Sequence, residues 1–153
     1  MLSVISYKRG ITFLEILLVV AILSILVSIG SASYRNYIKS VELDGVTKGI
    51  IFDLRQARAK AMSGEERSRW GVHLVNGTDD YYELFLTESD YASATVTATT
   101  FLSGGIAFST PGEGVTKDVV FFKISGTTTS ETVGLTFEGE TRTITVTSEG
   151  VVY

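Results

Sequence analysis

The chain has 153 residues, of which 44% are hydrophobic and 20% charged: one domain's worth of ordinary globular composition. It holds no cysteine and one histidine, His73, which excludes disulfide scaffolds, thiolate chemistry and multi-histidine metal centres together. The formal net charge of −4 argues against general nucleic-acid affinity, and it is unevenly spread: residues 70–153 carry three basic against eleven acidic side chains, residues 34–69 eight basic against five acidic.

The first ten residues, MLSVISYKRG, close on Lys8, Arg9 and Gly10. An apolar run follows, in which Ser24 and Ser28 are the only residues between Ile16 and Ile29 that are not apolar. From Ile11 to about Ala32 the stretch reaches the roughly 20 residues that a membrane-spanning helix needs. Basic residues directly before it place that end in the cytoplasm and send the rest of the chain outward. A conventional signal peptide would end at a small-residue cleavage site, whereas here the helical pattern continues past Ile29. Ser24, Ser28 and Ser31 share one face, either because small residues let helices approach closely or as small polar residues tolerated with no packing role. Glu15 does not fit a plain anchor, because a carboxylate at membrane depth costs about 2.5–3.5 kcal/mol at the centre and less near the edge. It can snorkel to the interface, or meet a cation when such helices pack. Cleavage after Gly10 would supply that cation as the α-amino group of Ile11.

Lys-Arg-Gly followed by Ile-Thr-Phe-Leu-Glu and an unbroken apolar run resembles the N-terminus of type IV prepilins and type II secretion pseudopilins. The resemblance implies cleavage between Gly10 and Ile11 by a prepilin peptidase, N-methylation of Ile11, and retention of the apolar helix. It also implies that Glu15 registers the subunit during assembly by pairing with a neighbour's N-terminal amine. Ile11 departs from the phenylalanine or methionine commoner at that position.

Between residues 31 and 66 the apolar pattern becomes periodic. Tyr34, Tyr37, Ile38, Val41, Val46, Ile50, Leu54, Ala57 and Ala61 recur mostly three or four apart, one face of a helix. Gly45 and Gly49 each weaken it by about 1 kcal/mol, which makes a bend there reasonable, and Ser63-Gly64 marks its end.

After Arg69 the helical period stops. Runs rich in β-branched and aromatic residues take over at 70–75, 81–87, 95–102, 106–109, 119–124, 133–137, 143–147 and 151–153, separated by turn signals such as Ser103-Gly104-Gly105 and Glu149-Gly150. In Thr143-Ile144-Thr145-Val146, the apolar side chains alternate with threonines, as in an antiparallel strand with one wet face. The expected fold is α+β: a long N-terminal helix, half membrane and half amphipathic, packed on a small antiparallel β-sandwich head. The domain plan is leader 1–10, transmembrane and assembly helix 11–32, amphipathic helix 33–66 and β-rich head 67–153. The Arg-Ala-Arg-Ala helix end, the Trp-Gly-Val run after it and the closing ITVTSEGVVY resemble the GspH/FimT branch of minor pseudopilins and pilins.

No catalytic constellation is visible, and the expectation is a protein that is not an enzyme and needs no cofactor or metal. His73 has no nucleophile motif beside it and reads as a sheet residue. Asn76, Asp79, Asp80 and Glu83 would suit calcium by ligand type but lack a loop spacing, and hairpin turns use the same residues. The expected function is that of a minor pilin or pseudopilin in a type II secretion pseudopilus or type IV pilus. Its partners would be other pilins, the prepilin peptidase and the inner-membrane assembly platform, with the head outside the bacterial inner membrane and later in an extracytoplasmic filament. The alternative is a DNA-binding minor pilin of natural transformation, with Arg55 and Arg58 as DNA contacts. The acidic head and the absence of basic residues in TSEGVVY weigh against it.

Overall fold

The computed structural model describes residues 12–153, and of residues 29–33, 35 and 36 the backbone only. Its elements are α1 (Phe13–Ser63), then seven strands: β1 (Arg69–Val75), β2 (Tyr81–Thr87), β3 (Thr95–Phe101), β4 (Ile106–Thr110), β5 (Thr116–Phe121), β6 (Glu131–Phe137) and β7 (Glu140–Val146). The chain divides into two units, Met1–Ile38 and Lys39–Tyr153.

The second unit is an α+β head. Its strands form a four-stranded sheet in the order β3-β2-β1-β5 and a three-stranded sheet in the order β4-β6-β7. Every pairing is antiparallel. One core joins the helix to both sheets. Leu43, Ile50, Leu54, Ala57 and Ala61 from α1 meet Trp70, Val72, Leu74, Val119 and Phe121 from one sheet and Val133, Leu135, Ile144 and Val146 from the other. β7 presents alternate residues to this core, which is why Ile144 and Val146 are fully buried while Thr145 between them is half-buried and Thr143 before them is exposed.

The helix face differs from the periodic reading at its upper end. Leu43, absent from that reading, is fully buried, whereas Tyr34, Tyr37 and Val41 are exposed. A stripe at 43, 46, 50, 54, 57 and 61 keeps helical spacing equally well, and only the position of the sheets decides which stripe is covered. Gly45 and Gly49 lie within α1 without interrupting it. The helix ends where expected: Gly64 adopts the left-handed conformation (φ 71°) that a terminating residue favours. The β5–β6 loop completes this end, with the Ile124 amide donating to the Ala61 carbonyl at 2.9 Å.

Two strand expectations shift. The run at 119–124 gives a strand over Thr116–Phe121 instead, because Phe122 already belongs to a turn in which its amide bonds the Thr127 carbonyl at 2.8 Å. The run at 151–153 makes only an isolated bridge, Val152 to Val146, with Thr145 and Tyr153 exchanging backbone bonds beside it.

On the far face of the four-stranded sheet a second, smaller packing site lies under the short 3₁₀ turn Tyr91–Ser93. The Tyr91 ring stacks on His73 at 3.6 Å and meets Phe85 edge-on at 5.0 Å. His73 Nδ1 pairs with Asp118, and the Tyr91 hydroxyl donates to Glu83. His73 is thus a buried sheet residue with its polar atom partnered, as the sequence suggested.

Burial, with the hydrogen bond to Glu83 second, raises the Tyr91 phenol above its ordinary range. Burial, aided by the Asp53 carboxylate, pushes the Tyr82 phenol up to about 12 from 10.0. Both shifts favour the protonated form in the folded chain. Stability from Tyr82 is therefore complete below about pH 10 and lost as pH rises through about 12, and that from Tyr91 is lost at still higher pH. Urea midpoints across the alkaline range are expected to fall in that window, and less steeply in Tyr82→Phe. An equal fall in the variant would remove Tyr82 from the account.

Candidate functional site

The first unit presents the N-terminal part of α1. Thr12 precedes the helix and accepts the Glu15 amide on its hydroxyl oxygen at 3.3 Å, while its carbonyl accepts the Ile16 amide at 3.3 Å. This is the N-cap half of the Thr-x-x-Glu pattern that starts helices, and loss of such a cap costs about 1 kcal/mol. Sequence periodicity alone does not assign this role to Thr12; the signal that does is its three-residue spacing to Glu15. The cap fixes Glu15 in the first turn, where the helix dipole favours a negative charge.

From Phe13 to Val27 the apolar side chains are exposed on every side of the helix, Phe13 at 81% and Val27 at 69%. A helix apolar all round is stable only when lipid or other helices cover it. The two hydroxyls in this run do not spoil that surface. Ser24 donates to the Val20 carbonyl and Ser28 to the Ser24 carbonyl, each at 2.8 Å, so both are satisfied within their own helix. The side chain of Ser31, the third of the small-residue face, lies outside the described residues.

Among the described residues no helix is long and apolar enough to cross a membrane. The apolar side chains described from Phe13 to Ser28 span about 24 Å at 1.5 Å per residue, against a hydrocarbon core of about 30 Å. The remainder of the expected span, Ile11 and the side chains of 29–32, lies outside the described residues, as do the expected cleavage pair Gly10 and Ile11.

Arg55 and Arg58 belong to the second unit, and their donors point inward along the chain. Arg55 Nη2 donates to the Val152 carbonyl at 2.8 Å. Arg58 donates through Nη2 to the Glu149 carbonyl at 2.9 Å and through Nε to that of Gly126 at 3.3 Å. The pair fastens the C-terminal segment and the β5–β6 loop to the helix. Nearby, Lys60 lies over the Trp70 ring at 4.1 Å from its centroid, and the Trp70 indole donates to the Glu65 carbonyl at 3.2 Å. The Arg-Ala-Arg-Ala and Trp-Gly-Val signals therefore mark one structural junction.

Higher on the helix, Arg142 of β7 donates to Asp44 at 2.7 Å and to Ser40 at 3.1 Å. The bond to the Asp44 carboxylate and its charge, with Glu140 second, hold the Arg142 guanidinium above its ordinary pKa. Lys39 pairs with Glu138 beside it.

Asn76, Asp79, Asp80 and Glu83 do not converge on a point. The Asn76 amide donates to the carbonyls of Phe108 (2.9 Å) and Pro111 (2.7 Å). Asp80 accepts the Gly77 amide at 2.9 Å and the Phe108 amide at 2.7 Å. Glu83 accepts from Tyr91 and Thr99. These are turn and sheet-joining contacts, and among the described residues no group of three or more acidic or histidine side chains is placed to hold a metal ion.

Residues 5–31 match the family described as the prokaryotic N-terminal methylation motif. The motif is type IV prepilin-like, and it marks this N-terminus as that of a prepilin-peptidase substrate. No curated protein and no solved structure matches the chain.

Proposed function

We propose that the chain is a minor pilin or pseudopilin subunit of the GspH/FimT branch. A prepilin peptidase cleaves between Gly10 and Ile11, and Ile11 becomes N-methylated. The apolar helix anchors the subunit in the inner membrane and then joins it to other pilins in an extracytoplasmic filament, serving protein secretion or pilus assembly. The role is structural rather than enzymatic. The observation that carries this reading is the methylation motif on a helix whose apolar side chains are exposed all round. Such a helix needs two coverings in turn, lipid before assembly and neighbouring helices after it, and a single segment suits both because each is apolar. Glu15 supports the reading as the one carboxylate in that segment, capped into the first turn beside the new N-terminus. A head-to-tail contact that does not close on itself generates a helical filament. The DNA-binding alternative takes second place, because Arg55 and Arg58 already donate to backbone carbonyls.

Mass spectrometry of the N-terminal peptide from native membranes tests the first step. The expected chain begins at methylated Ile11. A chain that keeps Met1–Gly10 in cells with active peptidase would refute the assignment.

A further inference from the structure

β3 is the outermost strand of its sheet, and all seven of its residues are exposed, Phe101 at 65%. The Leu102 amide bonds the Asp80 carbonyl at 2.9 Å, and the register pairs Tyr81 with Phe101 and Glu83 with Thr99. Hydrogen-bonded and non-bonded pairs alternate along an antiparallel ladder. The amides and carbonyls of Thr99 and Phe101 therefore point away from β2, to the free edge. Among the described residues no backbone bond reaches them from outside the sheet.

Natural edge strands are usually blunted by lysine, proline or an inward charge. Thr95–Phe101 has none of these, and its bulge lies toward the Thr95 end, opposite Leu84 and Phe85. Ala98–Phe101 is left as a regular, uncharged pairing edge.

The surroundings of this edge have one sign. Between Val75 and Lys117 the chain holds Asp79, Asp80, Glu83, Glu88, Asp90 and Glu113 and no lysine, arginine or histidine. None of the six forms an ion pair among the described residues. Three of them, Asp79, Asp80 and Glu113, line a cleft of about 520 Å³ that begins at Phe101.

We propose that the β3 edge is a strand-addition site for an extended peptide segment with basic residues at its N-terminal end. The segment pairs antiparallel to β3, as every other strand pair in the head does, so its N-terminal end lies beside Phe101 and its cation enters the acidic cleft. Main-chain bonds to Thr99 and Phe101 give affinity, and the carboxylates select the charge. A second copy of this chain fits poorly: antiparallel β3–β3 pairing would bring the cleft of one copy toward Glu88 and Asp90 of the other, like charge against like.

The test uses the full chain in detergent micelles and a fluorescent peptide, Lys-Arg-Thr-Val-Thr-Val-Thr, followed by anisotropy. Binding is expected, at least tenfold weaker when Glu-Glu replaces Lys-Arg. Thr99→Pro removes an amide that faces outward, so the β2 pairing survives while peptide binding is lost. The exposed double variant Asp79→Asn, Glu113→Gln is expected to weaken binding severalfold without touching the fold, and this readout stands should Thr99→Pro misfold. Equal binding by the Glu-Glu peptide, or unchanged binding in the double variant or in a folded Thr99→Pro, would overturn the proposal. So would a dimer in sedimentation that Thr99→Pro dissolves, since that assigns the edge to a second copy.

Discussion

Replacement of Glu15 by alanine is expected to leave the chain inserted and processed but to cut its incorporation into filaments by tenfold or more. The carboxylate sits in the first turn of a helix whose neighbouring side chains, Phe13, Leu14, Ile16 and Leu17, are apolar and exposed. Once other helices cover that surface, the carboxylate leaves water. A hydrogen bond to a charged partner contributes about 1.5–3 kcal/mol, or roughly 10–150-fold in an equilibrium, and more where water is excluded. The proposed partner is the methylated amine of Ile11 on a neighbouring subunit, created by the cleavage itself. Alanine favours both the helix and the lipid, so insertion is not weakened. Glu15→Gln separates charge from hydrogen bonding: it is expected to assemble nearly as poorly as alanine if the pair is ionic. Quantifying each variant in sheared filament fractions against its membrane pool checks this. Incorporation of Glu15→Ala at the normal level would remove Glu15 from the assembly mechanism.

A large effect is expected in the head from one methyl group. A Cβ at Gly71 would lie 2.7 Å from the Val119 carbonyl oxygen and 2.8 Å from the Phe85 ring. Neither neighbour can withdraw cheaply. Val119 is backbone in β5, paired with β1 at Val72, and Phe85 is fully buried with Tyr91 edge-on to its ring. Moving Phe85 moves Tyr91, and with it the stack on His73 and the bond to Glu83. Gly71→Ala is therefore expected to destabilise the head by about 3 kcal/mol, at the upper end for overpacking a closed site. Trp70, the one tryptophan, is buried next to the change and reports it by fluorescence in urea. Gly45→Ala is the control: a Cβ there meets nothing within 4 Å, and a helix interior gains about 1 kcal/mol from the exchange. Equal destabilisation by both variants would contradict the steric account.

The N-terminal half was legible because its signals are local. A glycine after a basic pair, a continuous apolar run and a lone carboxylate are features of adjacent residues, and the methylation-motif match at residues 5–31 rests on the same stretch. The helix stop at Gly64 and the alternation of Ile144 and Val146 are equally local, since each follows from backbone geometry over a few positions. Thr12 was legible too, through its spacing to Glu15.

What the chain order could not supply are the contacts between residues far apart in it. Arg55 and Arg58 look like surface charge on a helix until the fold brings Val152, Glu149 and Gly126 to them. Asp80 looks like a turn residue until its second oxygen meets the Phe108 amide of β4. Leu43 and Val41 satisfy the helical period about equally, and only the placement of the sheets buries the first and exposes the second. The sequence by itself determined the helix, the strand runs and the processing signal, because periodicity and short motifs act within a few residues. Tertiary structure alone decided the strand order, the unpaired β3 edge and the burial of Gly71 under Phe85, because pairing and close packing join segments whose separation leaves no local trace.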